Sequence, residues 1–557
     1  MRVLIVCVLN LMGVASACAQ QHPRDGQIHD ADTLAWWHTT EALSGDAMEG
    51  RDTGSAAYQR AAEYVAGRFK AAGLLPAGDD GSYFQMVPMH EVDVDPKKTW
   101  INVSEGEKSN HSFNLKFLEE ITVGVTDDLP KDTTAALTFR GYCGKDQMRD
   151  VGGKYVICFG TQRTGLPSGG ERASNVRLAG GVGIINVDDP YFTIEPPRWP
   201  FAYARSVTLV TGEVKKDSGR PFLSLRISAD AFSHLLRYTG RDAAAILKTG
   251  GAKQPLESFE LPANFILHVH LETTEKDFSS PNVLAVRPGS DAALAGQYVV
   301  VAAHLDGYGY GTPVQGDNLY NGALDDAAYV ALLIQMADDL KAGAAGHRGL
   351  TRVGYAVSDG AGGQSDAGSD VIDKGITLVP TKRSILFCAF TGEEKGLLGS
   401  SWFVKHPTVP VKDLAADINL DQLRPLFPLK IMTAEAVNET TLGQTAREVG
   451  KGMGIEIRED REPERGLLRR ADQYPFLRIH VPAISFIFGY DPGTDAERRY
   501  REWYEVRYHR PQDDLTQPVD FQAAETFDVF FYRLVETVAD APVRPAILPE
   551  SQFAEKK

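Results

Sequence analysis

The sequence predicts an α/β fold in which helices cover a mixed β-sheet, with a second, β-rich module inserted into the chain. Three observations lead to this prediction. The 557 residues are more than one hydrophobic core usually supports, so at least two domains are expected. After about residue 263, apolar strand-like runs alternate with helical patterns, which is typical of a sheet with helices on its faces. Between about residues 135 and 262, short apolar runs separated by Gly, Pro and Asp predict a β-rich module instead.

The individual elements follow from these patterns in chain order. Residues 54–73 repeat apolar side chains at helical spacing and end at Gly73, which predicts a helix. In the β-rich part, strands are predicted at residues 154–159 and 183–187. In the last part, strands are predicted at residues 282–286, 298–303, 384–390, 416–420 and 483–488, and helices at residues 326–340 and 521–539.

The same patterns set the expected domain boundaries. We expect the main domain to begin with residues 28–120 and to continue with residues 263–545, interrupted by the insert at residues 121–262. Residues 546–557 are expected to be a disordered tail. Residues 341–380 are rich in Gly, Ala, Ser and Asp and predict a long loop. Because this loop leads into the start of a strand, we place it away from the carboxyl ends of the strands and do not expect it to be catalytic.

The N-terminus has the pattern of an export signal over residues 1–19. A basic residue precedes an apolar run, and small residues suited to signal peptidase follow, so cleavage after Ala17 or Ala19 fits. We therefore expect a periplasmic or secreted protein. The alternative is a lipoprotein modified at Cys18, although Ala15 is not the large aliphatic residue usual three positions before a lipidated cysteine.

Charge and hydropathy restrict the partners. The formal net charge of −16 argues against nucleic acid or an anionic membrane surface, since both are bound through basic patches. No segment after the N-terminal signal reaches the ~20 apolar residues of a membrane span. Peptides and small molecules remain open, and the sequence does not predict an oligomeric state. Cys143 and Cys158 can pair in an oxidising compartment, whereas Cys388 is expected to be a buried thiol.

Charged residues follow the ends of several predicted strands, where the ligand sites of α/β folds gather. Five motifs of this kind contain His304 with Asp306, Asp325 with Asp326, Glu393 with Glu394, Asp421, and His509. Taken alone, each motif also fits an ordinary structural position; Asp326, for example, fits a helix cap. Together, two histidines and several carboxylates without a thiolate suit catalytic zinc, or manganese or cobalt. Five ligands suit two metal ions ~3.5–4 Å apart with one bridging carboxylate.

These motifs carry a resemblance to a known family. The segments AAHLDG, NGALDDAA, RSILFCAFTGEEKGLLGS, INLD, ADQYPF and YHRPQDD occur in the order and approximate spacing of the secreted di-zinc aminopeptidases, a family that includes glutamate carboxypeptidases and relatives of the transferrin receptor. MEGRDTGS resembles the family's N-terminal segment, and residues 154–190 resemble an inserted protease-associated domain. The resemblance implies a mixed-sheet zinc exopeptidase fold, a phosphorylase/hydrolase-like sandwich. It further implies an exported metallo-aminopeptidase with two Zn²⁺ ions and a peptide substrate.

The resemblance also implies how the metal ligands are shared between the two ions. His304, Asp325 and Glu394 would hold one zinc ion. Asp325, Asp421 and His509 would hold the other, so that Asp325 is the bridge.

The remaining site residues receive catalytic or positioning roles from the same resemblance. Glu393 would be the general base that takes a proton from water and later delivers it to the leaving amine. Asp306 would orient His304, and Tyr508 would stabilise the oxyanion. A cis peptide bond is expected between Asp325 and Asp326.

The sequence departs from the family at a few positions. Asp326, Ala328 and Tyr329 stand where the family often has Asn, Ser and Gly, and Gln473 stands where relatives often have His. None of these changes removes a ligand.

Other activities stay open on the same scaffold. A carboxypeptidase needs basic residues for the C-terminus of its substrate, and Arg424, Arg469 and Arg470 are candidates. A glutaminyl cyclase typically uses a single zinc ion. A non-catalytic binding protein would be expected to have lost Glu393 or a ligand, and the complete set argues against it.

Overall fold

The computed structural model describes residues 22–105, 112–211, 221–237, 239–344, 380–422 and 424–555. The export signal predicted at residues 1–19 and most of the loop predicted at residues 341–380 lie outside these residues. No helix in the described part of the chain is both long enough and apolar enough to cross a membrane.

The main sheet contains ten strands within the described residues. At its centre, Tyr298–His304 pairs in parallel with Ser384–Phe390 on one side and with Leu414–Leu420 on the other, and Ala483–Phe488 is parallel to Leu414–Leu420. The carboxyl ends of these four strands therefore meet at one edge of the sheet. The full strand order is Glu456–Arg458, Ile431–Glu435, Ala483–Phe488, Leu414–Leu420, Tyr298–His304, Ser384–Phe390, Thr273–Arg287, Phe84–Val94 and Arg205–Leu209, with Leu75–Pro76 beside Thr273–Arg287.

Helices cover both faces of this sheet, which confirms the predicted α/β fold. Successive residues of a strand point to opposite faces, so Val299 and Val301 enter one core while Val300 enters another. Burial on both faces explains the continuous apolar runs that predicted the central strands. The first core contains residues of the helices Ala31–Ser44, Ala56–Ala71, Ala328–Ala344, Leu442–Gly452, Asp495–Val506 and Phe521–Asp540. The second contains residues of Leu398–Lys405 and Gln473–Arg478.

The helix starts depend on local side chains. The helix predicted at residues 54–73 spans Ala56–Ala71 and is capped by Ser55, whose side chain accepts a hydrogen bond from the backbone N–H of Tyr58. The helix predicted at 326–340 starts later, at Ala328, because the wider turn Ala323–Ala327 precedes it. Shorter 3-10 turns lie at Asp25–Gln27, Asp46–Arg51, Asp79–Gly81, Lys145–Gln147, Val411–Asp413, Pro463–Arg465 and Leu467–Arg469.

A second sheet of nine strands has its own hydrophobic core within the described residues. It extends beyond the 121–262 boundaries expected for the insert, because Trp100–Glu105 pairs with Phe265–His270. Conversely, Arg205–Leu209 leaves the insert and pairs with Phe84–Val94 of the main sheet. The strand order is Ser112–Leu115, Trp100–Glu105, Phe265–His270, Asp132–Arg140, Tyr155–Gly160, Gly183–Asp188, Leu223–Ile227 and Ile121–Gly124, with Ser258–Glu260 beside Asp132–Arg140. The helices Gly169–Leu178, Ala229–Leu236 and Ala243–Gly251 pack with it, and a separate hairpin joins Gly309–Val314 to Asp317–Tyr320.

Two smaller features bear on the sequence analysis. Cys143 and Cys158 form a disulfide, and Cys388 is a buried free thiol. The prediction of a disordered tail is wrong for residues 546–555. Phe553 is buried there, and Ser551 and Gln552 both donate hydrogen bonds to the carboxylate of Glu439.

Candidate metal centre

The carboxyl edge of the main sheet gathers the charged residues that follow its central strands. His304 is the last residue of its strand and pairs in register with Phe390, so Glu393 and Glu394 begin three residues beyond its neighbour. Asp421 directly follows the strand on the other side. Asp325 and His509 reach the same place from loops, and the five expected ligands are brought together.

His304, Asp325 and Asp421 form one half of the cluster. The His304 Nε2 atom lies 3.2 Å from Oδ1 of Asp325 and 3.7 Å from Oδ1 of Asp421. His304 and Asp325 are both almost fully buried.

His509 and Glu394 form the other half around the same aspartate. The His509 Nε2 atom lies 3.3 Å from Oε2 of Glu394 and 3.4 Å from Oδ2 of Asp325. The two oxygens of Asp325 thus face different histidines, as a bridging carboxylate requires.

These distances favour a different division of the ligands from the one expected. Two atoms that each lie 2.0–2.1 Å from a tetrahedral zinc ion are about 3.3 Å apart. The contacts of His304 with Asp421, and of His509 with Glu394, are close to that separation. The expected set of His304, Asp325 and Glu394 fits within 4.8 Å, which is a looser arrangement. The geometry therefore groups Asp421 with His304 and Glu394 with His509, and it keeps Asp325 as the bridging carboxylate.

Carboxylate oxygens of the cluster that lack a hydrogen-bond donor favour a bound metal ion. Oδ2 of Asp325 and Oδ1 of Asp421 are buried and lack a hydrogen-bond donor among the described residues. A buried carboxylate oxygen without a donor or cation is costly, whereas a metal ion satisfies it directly. The imidazole and carboxylate donors suit zinc, manganese or cobalt.

The protonation of the two histidines is set by different surroundings. Burial lowers the pKa of His509 to about 4, so its ring is neutral at pH 7, as a metal ligand must be. Burial also acts to lower the pKa of His304, but the charges of Glu393 and Asp326 outweigh it and raise that pKa. A cation among these carboxylates would offset the same negative charge and favour the neutral ring.

Asp306 positions both His304 and Glu393. Nδ1 of His304 lies 3.1 Å from the backbone carbonyl of Asp306, and since a carbonyl only accepts, Nδ1 carries the proton and Nε2 is free to bind metal. The Asp306 carboxylate lies farther from that ring, at 3.7 Å. It accepts instead from the backbone N–H of Glu393 at 3.0 Å and from the hydroxyl of Thr53 at 2.8 Å. Asp306 thus connects the first ligand to the expected base.

Tyr308 orients His509, a role that the sequence did not indicate. Its hydroxyl lies 2.9 Å from Nδ1 of His509, which leaves Nε2 facing the carboxylates. The only sequence signal was its position in the loop after His304.

Asp513 and Asp326 hold the turn that carries Asp325. The Asp513 carboxylate accepts from the backbone N–H groups of Leu324 and Asp325 at 3.0 and 3.1 Å. Asp326 accepts from the backbone N–H of His304 at 3.2 Å instead of capping the following helix, contrary to the cap expected from the sequence. The peptide bond between Asp325 and Asp326 is cis, which confirms that expectation.

Tyr508 lines the cleft, and its hydroxyl oxygen accepts hydrogen bonds from two protein side chains. Nε2 of Gln422 donates to it at 2.9 Å, and Nη2 of Arg470 donates at 3.3 Å. Both contacts use acceptor sites of the oxygen, so the hydroxyl proton is left to donate elsewhere. This arrangement is compatible with the expected interaction with an oxyanion.

The three arginines considered as partners of a substrate carboxylate lie in two different environments. Arg424 is fully buried, with its guanidinium 4.6 Å from the ring centroids of Tyr500 and Tyr504. Arg469 and Arg470 line the same cleft as the metal centre.

A segment of the insert borders the metal centre, which the sequence did not indicate. Glu195 accepts two hydrogen bonds from Arg470, at 2.7 and 3.1 Å. The carbonyls of Trp199 and Pro200 accept from Arg510, the residue after His509, at 2.8 and 2.7 Å. The cleft itself has a volume of about 650 Å³, a common size for a ligand site.

The chain is similar to a known family of peptidases and to several solved structures. Residues 282–533 match the family model "Peptidase family M28". The aminopeptidase from Aneurinibacillus sp. strain AM-1 superposes with a TM-score of 0.55 at 16% identity, covering 93% of this chain and 96% of that one. BSAP, a zinc aminopeptidase from Bacillus subtilis, gives a TM-score of 0.53 at 16% identity, covering 90% and 94%. A peptidase M28 precursor from Shewanella amazonensis SB2B gives a TM-score of 0.52 at 15% identity, covering 93% and 99%. At these identities the likeness establishes the fold.

No curated protein matches the chain in sequence.

Proposed function

We propose that the chain, a metallopeptidase whose residues 282–533 match the model of peptidase family M28, is an exported aminopeptidase that uses two metal ions. The observation that carries the proposal is the position of Asp325, whose two carboxylate oxygens face different histidines. The solved structures of similar fold include proteins described as aminopeptidases, which supports cleavage at the N-terminus of the peptide.

The proposed ions are zinc, with manganese or cobalt as possible replacements. His304, Asp421 and Asp325 would hold one ion, and His509, Glu394 and Asp325 would hold the other. When bound, such ions polarise the scissile carbonyl and acidify water.

Glu393 would manage the proton. Its backbone is fixed by Asp306, and its Oε2 atom stays 3.9 Å from Nε2 of His304, beyond the separation of the closest ligand contacts. Burial raises the pKa of Glu393 well above the usual range, so the carboxylate binds a proton readily. A base of this kind accepts the proton of the attacking water and passes it to the leaving amine. Tyr508 would donate its free hydroxyl proton to the developing oxyanion.

Export is part of the proposal. The apolar N-terminal pattern at residues 1–19 supports it, as does the disulfide between Cys143 and Cys158, since disulfides persist in oxidising compartments. The protease-associated identity of the insert stays a prediction from the sequence resemblance.

The first test is the Glu393→Gln variant, loaded with zinc and compared with the wild-type enzyme on an amino-acid arylamide. We expect the variant to retain two ions per chain by elemental analysis and to lose turnover by at least about 10³-fold, because the amide cannot accept the proton. Turnover within about tenfold of the wild type would contradict the mechanism.

The second test decides the end of the peptide that is attacked. Peptides with free and acetylated N-termini are incubated with the zinc-loaded enzyme, and products are identified by mass. We expect hydrolysis from the free N-terminus and none of the acetylated peptides. Release of C-terminal residues from acetylated peptides would support a carboxypeptidase instead, and a single tightly bound ion with cyclised N-terminal glutamine would support a cyclase.

A further inference from the structure

One wall of the substrate cleft is basic, although the protein as a whole is strongly acidic. Lys405, Arg469, Arg470 and Arg478 line the cleft that also contains Glu393. The chain has a formal net charge of −16, yet four cations line this one cleft. The acidic residues that line the same cleft belong to the metal centre: Asp325, Glu393 and Glu394.

Three of these cations are not neutralised by the protein. Arg470 is paired with Glu195 at 2.7 Å. Lys405, Arg469 and Arg478 are exposed, and none of them forms an ion pair within the described part of the chain. Their charges are therefore available to a ligand.

The fold, and not a local run of sequence, brings these charges to one wall. Lys405 is the last residue of the helix Leu398–Lys405, and Arg478 is the last residue of the helix Gln473–Arg478. The two helices pack together, with the rings of Phe403 and Phe476 5.9 Å apart. Arg469 ends the turn that precedes the second helix.

Unpaired like charges on one wall repel each other, and an anion relieves that repulsion. A cleft lined by one sign of charge also raises the local concentration of oppositely charged ligands. Arginine in particular suits carboxylates, because its guanidinium donates two parallel hydrogen bonds. Leu397, Val404 and Ile479 line the same cleft and offer an apolar surface for the aliphatic part of such a ligand.

We propose that this wall binds a carboxylate of the peptide substrate close to the scissile bond, so that the enzyme favours substrates that carry one there. The inference rests on the proposed peptidase function and names its substrate class. The carboxylate can come from two sources: an acidic side chain at the second position of the substrate, or the free C-terminus of a dipeptide. The three exposed cations would attract a carboxylate from either source.

The test compares matched substrates that differ by one charge. For the side-chain source, the pair is Leu-Glu-Ala-amide and Leu-Gln-Ala-amide; for the C-terminal source, it is Leu-Ala and Leu-Ala-amide. The zinc-loaded full-length enzyme is assayed on each pair at low salt and at 1 M salt. The variants are Lys405→Gln, Arg469→Gln, Arg478→Gln and the triple combination.

The matched control is Lys451→Gln. Lys451 is also an exposed lysine in the last turn of a helix, Leu442–Gly452, but it does not line the cleft. Thermal unfolding of every variant checks that the fold is retained.

We expect the wild type to prefer the charged member of at least one pair by about tenfold in kcat/KM at low salt, and less at 1 M salt, where exposed charges are screened. Each single substitution should reduce the preference by about two- to fivefold, as for exposed ion pairs, and the triple variant should abolish it. Hydrolysis of the neutral members, and every value for Lys451→Gln, should stay within about twofold of the wild type. Which pair responds identifies the source of the carboxylate.

Two outcomes overturn the inference and are distinguishable from failure of the proposed function. If the wild type cleaves charged and neutral members equally well, the enzyme is a peptidase but the wall does not recognise a carboxylate. The same conclusion follows if the triple variant loses both members of a pair to the same extent while remaining folded. If no member of any pair is cleaved by the wild type, the proposed function itself fails, and the inference fails with it.

Discussion

Replacing Asp513 by Asn tests whether this residue, which binds no metal, holds the bridging ligand in place. Its side chain is 2% exposed and accepts from the backbone N–H groups of Leu324 and Asp325 at 3.0 and 3.1 Å. An asparagine has one acceptor oxygen, so one of these buried N–H groups would face an amide NH₂ instead. Burial raises the pKa of Asp513 to about 7, so the comparison is made at pH 8, where the wild-type carboxyl is mainly ionised.

The expected cost follows from the lost acceptor. A buried donor left without a partner costs about 1–3 kcal/mol, and we expect the free energy of unfolding of the metal-free protein to fall by that amount. Since the displaced N–H belongs to the turn that carries Asp325, zinc affinity should fall by about 10- to 100-fold, as for other residues that support a ligand. Denaturant titration measures the first quantity, and competition with a chelator measures the second.

The neighbouring residue provides the control for this substitution. Asp514 accepts from the backbone N–H and the hydroxyl of Thr516 at 2.8 and 2.6 Å, but it lies at the surface. Asp514→Asn keeps an acceptor oxygen that solvent can assist, so a change within about 0.5 kcal/mol is expected. If Asp513→Asn is no more harmful than Asp514→Asn in either measurement, the supporting role assigned to Asp513 is refuted.

The remaining predictions concern Tyr308 and Glu435. Tyr308→Phe removes the hydroxyl at 2.9 Å from Nδ1 of His509 and should weaken zinc binding by about 10-fold or more in the chelator assay. The control Tyr310→Phe, at an exposed site, should leave zinc binding unchanged. Equal zinc affinities of the two variants would contradict the orienting contact. Burial and the charge of Asp460 raise the pKa of Glu435 to about 8. Between about pH 4 and pH 8, the folded protein therefore keeps a proton that the unfolded chain releases. The stability that this proton contributes is fully present below about pH 4 and is lost as the pH rises through 8. Glu435→Gln should therefore be more stable than the wild type at pH 9, by a difference on the order of 4 kcal/mol that vanishes by pH 4 in denaturant titrations; a difference that does not change with pH would contradict the burial of an ionisable group there.

The sequence predicted five of the ten strands that the main sheet has among the described residues, because strands buried on both faces leave an unambiguous apolar pattern. The runs ending at His304 and Phe390 were identified in this way, and the charged residues after them could be recognised as strand-end positions. The ordered set of motifs also identified the family whose model matches residues 282–533. Since each of these signals lies within a few consecutive residues, one sequence suffices to read them.

The tertiary structure decided how these residues act on one another. Which acidic ligand accompanies which histidine depends on loop paths; the family resemblance placed Glu394 with His304, while the Glu394 carboxylate lies 3.3 Å from Nε2 of His509. Tyr308 and Asp513 were missed because each acts on a partner far away in the chain: Tyr308 contacts His509, 201 residues on, and Asp513 contacts the turn at Asp325, 188 residues back. The predicted boundary of the insert differs from the observed one because a sequence pattern can show that a segment is a strand but not with which neighbour it pairs.

The basic wall of the cleft illustrates the same limit. Lys405 and Arg478 are each the last residue of a short helix, where a cation is expected for the helix dipole alone. Only the packing of the two helices places both cations in the cleft that Glu393 also lines. The central strands, the family resemblance and the chemistry of the ligands could therefore be predicted from the sequence, because these depend on local pattern. The pairing of ligands, their supporting contacts and the charge of the substrate cleft were decided by the tertiary structure, because they depend on contacts between distant segments.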